Sequence, residues 1–389
     1  MQFEIHRDPQ VFEQLRAEWN ALLDRAVTRV PFLRAEYQQA WWAERGGGEW
    51  PRAELLVVTA RGDDGALLGI APLFHASNRQ GRPALLLVGS IEISDYLDFV
   101  VAREQLEAFC TGLLGRLAED DVPAWEVLDL YNVPGPSPTR AALGRAAAAR
   151  GWAAGEQLLM PVPVIHLPGD WETYLATMVD KKERQEIRRK MRRAGGGDDS
   201  VAWSMVEGGP GHDLEAETEA FLTLMSHNPD KAGFLTPAMR HQFHLIGHAA
   251  GENGWLRLAF LEVKGEKAAA YLTFDYGNRL YIYNSAIDPR FNALSPGWVL
   301  LAYLLRWSIE NKRADFDFLR GDEDYKFRFG AIAGQIYRVQ VGRALPLEEL
   351  GGSPACLMNE FEADFFPTAG QAAPATPEKD PGLAEHEGH

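Results

Sequence analysis

Cysteine is almost missing from this chain of 389 residues: Cys110 and Cys356 stand alone and far apart, with no CxxC spacing. That excludes a disulfide framework and a cysteine-based zinc site, and it favours a reducing compartment. No apolar run approaches the roughly 18 residues that a membrane-spanning helix needs. Met1-Gln2-Phe3-Glu4-Ile5 lacks the basic-then-apolar pattern of a secretory leader, so the expected location is the cytoplasm. Positive charge is lacking too. A formal net charge of −16 argues against nonspecific binding to nucleic acid or anionic membrane, leaving room only for a local basic patch. Nor is there a P-loop, a dinucleotide fingerprint, a Gly-x-Ser-x-Gly elbow or an HExxH pair.

What is present is a soluble composition, 46% hydrophobic, long enough for two domains with a core each. Periodicity and turn residues predict the same plan twice. The first half reads as a strand at 3–6, helices to about 25 and over 34–44, and a hairpin of strands 54–60 and 66–74. Strands at 83–88 and 97–101, a helix at 103–118, a strand at 126–130, a helix at 138–150 and a strand at 158–166 complete it. The second half reads as a basic helix at 171–193, helices near 213–227 and 237–250, and strands at 255–263, 267–276 and 279–287. A helix over 296–311, a strand at 314–319, a short helix at 324–329 and a last strand at 335–342 follow. The expected fold class is α+β, mixed sheets flanked by helices, divided as 1–160 and 161–345. Residues 346–389, rich in Gly, Pro, Ala and acid, read as a disordered tail.

The most informative stretch is 314–330, Ala-Asp-Phe-Asp-Phe-Leu-Arg-Gly-Asp-Glu-Asp-Tyr-Lys-Phe-Arg-Phe-Gly. Asp315 to Leu319 alternate polar and apolar like a half-buried strand, Gly321 breaks it, and Asp322, Glu323, Asp324, Tyr325 and Lys326 follow at once. A plain helix N-terminus with acids on its dipole fits the same residues. Ser295-Pro296-Gly297 opens the helix before this strand: a serine cap, a first-turn proline and a glycine that shields no N–H group make an anion site, or simply a cap. Lys181, Lys182, Arg184, Arg188, Arg189, Lys190, Arg192 and Arg193 crowd one helix, either as a solvated face with i,i+4 pairs or as a contact for a phosphate-rich ligand. His241, His244 and His248 share a helix face, but with no acidic residue among them they read as an incidental polar stripe rather than a metal site.

Gly321-Asp322-Glu323-Asp324-Tyr325-Lys326 resembles the Gly-Asp-Glu-x-Tyr-Lys signature of the CelD/BcsL acetyltransferase family, relatives of the GNAT acyltransferases and the Fem peptidyltransferases. Ser94-Asp95-Tyr96-Leu97-Asp98-Phe99 is similar to that family's Ser-Asp-Tyr-x-Asp-Phe segment, and Pro31-Phe32 with Trp41-Trp42 sits where the family carries a Pro-Phe and a double aromatic. Tyr281 to Ala286, followed by Asp288-Pro289 and Leu294-Ser295-Pro296-Gly297, looks like the strand, loop and helix that embrace the acyl donor. The Gln/Arg-x-x-Gly-x-Gly/Ala loop of typical GNAT proteins is missing. The resemblance covers the chain to about residue 342 and implies tandem GNAT-like acyltransferase domains, the acyl site in the second.

On that resemblance the chain is expected to be an N-acyltransferase using acyl-CoA, acetyl-CoA first, as co-substrate, with no metal. Asp322 and Glu323 are the candidates to deprotonate an amine acceptor, Lys326 to neutralise developing negative charge, and Tyr283 or Tyr325 to protonate the departing thiolate. Ser295, Pro296, Gly297 and Trp298 at the helix start, with Arg188 and Arg189, are expected to hold CoA. Asp95, Tyr96 and Asp98 are expected to line the acceptor side of a cleft between the halves. The acceptor is a primary amine of a small molecule or of a cell-envelope or polysaccharide precursor, and no nucleic-acid partner is expected. A Fem-like aminoacyl-tRNA ligase and a non-catalytic binding protein are the alternatives. The first is disfavoured because no segment is long enough for the helical arm such proteins often carry.

Overall fold

The computed structural model describes residues 1–196, 200–209 and 211–350, together with the backbone of 353–354. Its strands lie in one large mixed sheet with helices on its faces, as the composition and pattern predict. In chain order these are β1 (Gln2–His6), β2 (Glu54–Arg61), β3 (Leu67–Ser77), β4 (Pro83–Leu87), β5 (Val100–Val101), β6 (Val127–Pro134) and β7 (Ala153–His166). They continue as β8 (Val201–Val206), β9 (Leu256–Val263), β10 (Glu266–Tyr276), β11 (Arg279–Ile287), β12 (Asp315–Asp317), β13 (Ile332–Gly342) and β14 (Ser353–Pro354).

Across the sheet the order is β1-β2-β3-β4-β6-β13-β7-β12-β11-β10-β9-β8, which reads the same from both ends once β1 is matched with β8, β4 with β11, β6 with β12 and β7 with β13. Among the described residues only β4–β6 and β11–β12 pair parallel, and the other neighbours are antiparallel. The last strand of each half is exchanged: β13 lies against β6 of the first half, and β7 against β12 of the second. These two long strands then pair with each other from Ile332↔Val164 to Gly342↔Ala153. Residue 160, where the sequence reading divides the chain, therefore lies inside a strand at the centre of the sheet.

Helices α1 (Val11–Gln14), α2 (Arg16–Leu23), α3 (Ala35–Glu44), α4 (Leu106–Arg116) and α5 (Thr139–Ala149) belong to the first half. The second carries α6 (Trp171–Thr177), α7 (Lys181–Gly196), α8 (Leu214–Met225), α9 (Pro229–Phe234), α10 (Pro237–Glu252), α11 (Pro296–Glu310) and α12 (Asp324–Arg328). The residues of β11 show why two cores form. Leu280 and Ile282 point to one face and join the apolar side of α11, while Tyr281 and Tyr283 point to the other and meet Phe32 of the first half. Gln242 of α10 donates to the Ala40 carbonyl of α3 (2.9 Å), so the halves also meet through helices.

Three expectations are corrected. The helix expected over 171–193 is broken between Thr177 and Lys181, because Tyr174 and Val179 turn inward to pack beside Phe329, leaving α7 free to lie near the start of α11. The short strand β8 and the short helix α9 had no legible period. Finally, the segment from 346 does not begin disordered: Leu347–Glu349 form a turn of 3-10 helix, Glu349 pairs with Arg82 (2.7 Å), and Leu350 is 4% exposed. Leu350 finds apolar partners that its neighbours in sequence do not advertise. Beyond the β14 backbone, paired with β7, the rest of that tail lies outside the described residues.

Candidate active site

The site grows from a mismatch of strand lengths. β12 is three residues long and pairs with β11 only from Arg279↔Asp315 to Tyr281↔Asp317, while β11 runs on to Ile287 against β10 alone. Tyr283 is an extra residue in that ladder, since Ile282 faces Thr273 and Asn284 faces Leu272. Such a bulge bends a strand and re-aims its backbone. Among the described residues the edge of β11 beyond Tyr281 therefore has no strand partner on the β12 side, and the two strands part around a gap.

On one side of this gap, β12 ends in a built turn. Burying Phe316 and Phe318 contributes about 1.5–3 kcal/mol each to seating it. Leu319 and Gly321 take positive φ, +57° and +118°. At the φ of Gly321 a residue with a β-carbon is strained, and the added atom would also crowd the Glu323 carboxylate and Lys326 Nζ, so glycine is favoured. Lys326 is 3% exposed, and its ammonium donates to the carbonyls of Arg320 (2.7 Å) and Gly321 (3.3 Å) and pairs with Glu323 (2.9 Å). It is a buried staple across the turn, while Asp322 and Glu323 stay exposed at the rim. Burial and the charge of Glu323 push the half-buried Tyr325 phenol up to about 12.

The first half clamps this turn. Arg320 binds the Asp95 carboxylate and donates to the carbonyls of Ile91 (3.0 Å) and Glu92. Tyr96 donates to Asp317 (3.0 Å), and Tyr283 and Tyr37 both donate to the Ile93 carbonyl, at 2.8 and 2.6 Å. Beneath lies a buried group of three charges: Arg279 bonds Asp315 (2.8 Å) and Asp317 (3.0 Å), and His166 also holds Asp315. One guanidinium cannot compensate two carboxylates. Burial raises both, but Arg279 and His166 outweigh it at Asp315 and hold that group below its usual range, whereas Asp317, fully enclosed, is pushed up to about 6.

Across the gap, α11 begins at Pro296. Ser295 sits in the left-handed region at φ +52° and makes no side-chain cap, so the expected serine cap is absent and, among the described residues, the first-turn N–H groups have no side-chain acceptor. Gly297 is buried, and a β-carbon there would meet Ile287 Cδ1 at 2.5 Å. Cations gather here: Lys190 lies 4.3 Å and Arg328 4.7 Å from the Trp298 ring centre, and Arg193 donates to the Ala293 carbonyl (3.1 Å). Arg188 and Arg189 bind Glu172 and Glu186 on the exposed side instead.

Of the expected acceptor-side residues, Asp95 and Tyr96 contact the turn, but Asp98 does not. It is wholly buried in the first half, accepting from Thr28 (2.6 Å), Ser137 (2.5 Å) and the Phe99 N–H (2.7 Å). Tyr283 keeps its phenol on the Ile93 carbonyl, where burial raises its pKa, rather than in the gap. His241, His244 and His248 bind Glu44, Glu215 and Glu219. Two groups near the gap escaped sequence reasoning. Tyr271 of β10 places its hydroxyl 4.0 Å from where a Gly297 β-carbon would stand, and Lys231 of α9 reaches Asn284 and Ser285 on the open edge of β11. Neither sits in a motif; a lone lysine after Asn-Pro-Asp carries no spacing signal.

Residues 181–327, from α7 to α12, match the family model described as an acetyltransferase (GNAT) domain. The chain is similar to a crystal structure described as FemX (13% identity, 87% of this chain and 97% of that one, TM-score 0.60). It is similar also to the C-terminal domain (DUF2156) of a putative lysylphosphatidylglycerol synthetase from Agrobacterium fabrum (11%, 86% and 92%, 0.52) and to L-PGS from Bacillus licheniformis (12%, 88% and 94%, 0.52). At these identities the likeness is one of fold. None of the curated proteins matches the chain in sequence. The match to a GNAT acetyltransferase model thus falls in the second half, residues 181–327, within a fold similar along nearly the whole of FemX. No helix among the described residues is long and apolar enough to cross a membrane.

Proposed function

We propose that this chain, as a CelD/BcsL-like protein of two GNAT-like units (1–160 and 161–345), is an N-acyltransferase that moves an acyl group, acetyl in the simplest case, from acyl-CoA to a primary amine. The observation that carries this reading is the unpartnered edge of β11, flanked by the uncapped start of α11 with Lys190 and Arg193 and by the Gly321–Lys326 turn. The pyrophosphate of CoA belongs at the start of α11, where free N–H groups and the helix dipole favour an anion. Its thioester lies along the open strand edge. Glu323, with Asp322 beside it, takes a proton from the acceptor ammonium directly or through water. The freed amine forms the new C–N bond and the C–S bond breaks. Tyr325, protonated at neutral pH, supplies the proton to the departing sulfur and takes back the one that the nitrogen sheds as the amide forms. Lys326 holds the turn and Glu323 in place rather than meeting the substrate.

A second reading, an aminoacyl-tRNA donor, draws on the exposed Lys181, Lys182 and Arg192 of α7, which have no carboxylate within ion-pair distance among the described residues. A melting-temperature screen separates the two. Acetyl-CoA or a longer acyl-CoA should raise the melting temperature in a concentration-dependent way, and thiol release should follow when an acceptor amine is added. Failure of every CoA ester, together with tight and steeply salt-dependent tRNA binding, would replace the first reading with the second.

A further inference from the structure

Lys231 is an unusual lysine. It stands on the six-residue helix α9 and turns its ammonium inward onto the open edge of β11, donating to Asn284 Oδ1 (3.0 Å) and to the Ser285 carbonyl. Both partners are uncharged, and among the described residues no carboxylate lies within ion-pair distance. Burial lowers its pKa, and the one charge that acts in the opposite direction is that of Glu323. A cation withdrawn from water without a counter-ion is costly, so an anion brought beside it gains from the pairing. The site is built rather than incidental. Asn228 caps α9 with its side chain on the N–H groups of Asp230 and Lys231, and His227, just before it, approaches Asp288 at 3.6 Å.

The two groups acting on each other across this gap have opposite signs: an exposed carboxylate, Glu323, and a partly buried ammonium, Lys231. We infer that the acceptor is an amine that itself carries a carboxylate, an amino acid or a close derivative, with its ammonium towards Glu323 and its carboxylate on Lys231. This rests on the reading of the gap as an acyl-transfer site. A polyamine would set a second cation against Lys231, and a neutral sugar amine would leave it without a counter-ion. Lys231 is then a specificity residue: it selects the acceptor and takes no part in bond making.

The test uses the full chain with acetyl-CoA and matched acceptors, each amino acid beside its carboxamide, and spermidine as the polyamine. Wild type should prefer the carboxylate member of a pair by roughly tenfold or more in kcat/KM, the range of one charge-assisted contact. Lys231→Met should raise KM for that member by the same factor while leaving kcat, the carboxamide and acetyl-CoA affinity within about twofold, and Lys231→Arg should recover part of the loss. A calorimetric titration of the same amino acids into both proteins reads the contact without turnover. Spermidine or the carboxamide as the better acceptor, or identical amino-acid binding by wild type and a folded Lys231→Met protein, would overturn the inference. Either result leaves the acyl-CoA reading standing so long as acetyl-CoA binds. Absence of any CoA binding would sink that reading instead, and the calorimetric comparison still decides on Lys231.

Discussion

Replacing Lys326 with methionine tests whether the turn after β12 is the working part of the site. The methionine chain fills most of the lysine's volume, so packing is nearly kept and the ammonium is what is lost. Its removal leaves the Arg320 and Gly321 carbonyls, shielded by the same turn, without their donor. Each buried acceptor stripped of its partner costs about 1–3 kcal/mol. The Glu323 contribution adds little, because that carboxylate is 56% exposed and water replaces the lost partner. The sum is about 2–6 kcal/mol, against less than about 0.5 kcal/mol for a lysine on the surface. Urea unfolding should show the loss as a lower midpoint with an unchanged slope. In the assay with acetyl-CoA and a proven acceptor, loosening the turn that carries Glu323 should lower kcat by about 10²–10³ while acetyl-CoA affinity holds. An unfolding midpoint within error of wild type, or full turnover, would refute the argument, since either means that the three contacts of the ammonium hold nothing that matters.

The donor site predicts that Gly297→Val weakens CoA binding by roughly tenfold or more through blocked approach to the helix start. Because the new side chain also meets Ile287, the measurement belongs in an Ile287→Ala background, where unchanged CoA affinity counts against the placement. Asp317 predicts a pH signature. Its folded pKa of about 6 lies above the ordinary carboxylate value, so the folded state binds the proton more tightly than the unfolded one. The benefit is complete below about pH 4 and lost as pH rises towards 6, a change on the order of 3 kcal/mol. Urea melts at intervals between those values should show that fall in wild type and a flatter profile in Asp317→Asn; parallel profiles would show that the group does not titrate there. Ending the chain after Leu345 should cost about 2 kcal/mol relative to ending it after Pro354, the burial of Leu350. Equal melting temperatures would place that leucine outside the folded unit.

Much of the fold was legible because strong periods and punctuation agree. The β10–β11 hairpin turns at Gly277-Asn278, α11 starts at a proline after a loop, and β12 is announced by alternating Asp and Phe before Gly321. What failed to show was anything decided by the partner across space. The pattern predicts the last strand only over 335–342, while β13 starts at Ile332, because nothing in its own residues says that it runs between β6 and β7 from both halves. Asp95, Tyr96 and Asp98 form one polar cluster in sequence, yet Asp98 turns into the first core, where Thr28 and Ser137 donate to it, while Asp95 and Tyr96 meet Arg320 and Asp317. Lys326 was legible as special, but as a reactive cation rather than as a staple, because its carbonyl partners are backbone and carry no sequence signal. Lys231 was invisible for a similar reason: its significance is a missing counter-ion, and an absence has no residue of its own.

The mirrored sheet order poses the question of why chemistry should be confined to one half. In the first half, β4 and β6 pair only through Ala84↔Val127 and Leu85↔Leu128 and then part, as β11 and β12 do in the second. There the chain itself occupies the gap: Leu97 donates its N–H to the Asn132 carbonyl (2.9 Å), and the Asn132 side chain holds the carbonyls of Ile91 (3.1 Å) and Ser94 (2.7 Å). The segment that fills the first gap is the one whose far side binds Tyr283, Arg320 and Asp317 at the second. A first half with its own gap open would have no such segment to offer, and the β12 turn would lose its clamp. Closing one gap therefore builds the wall of the other, which ties the first half to the site through backbone carbonyls, the Asp95 carboxylate and one tyrosine rather than through a reacting group. Residues 91–97 are then where substitutions in the first half should reach activity in the second, and Tyr96→Phe, which removes the hydroxyl that meets Asp317 and keeps the ring, is the mildest of them.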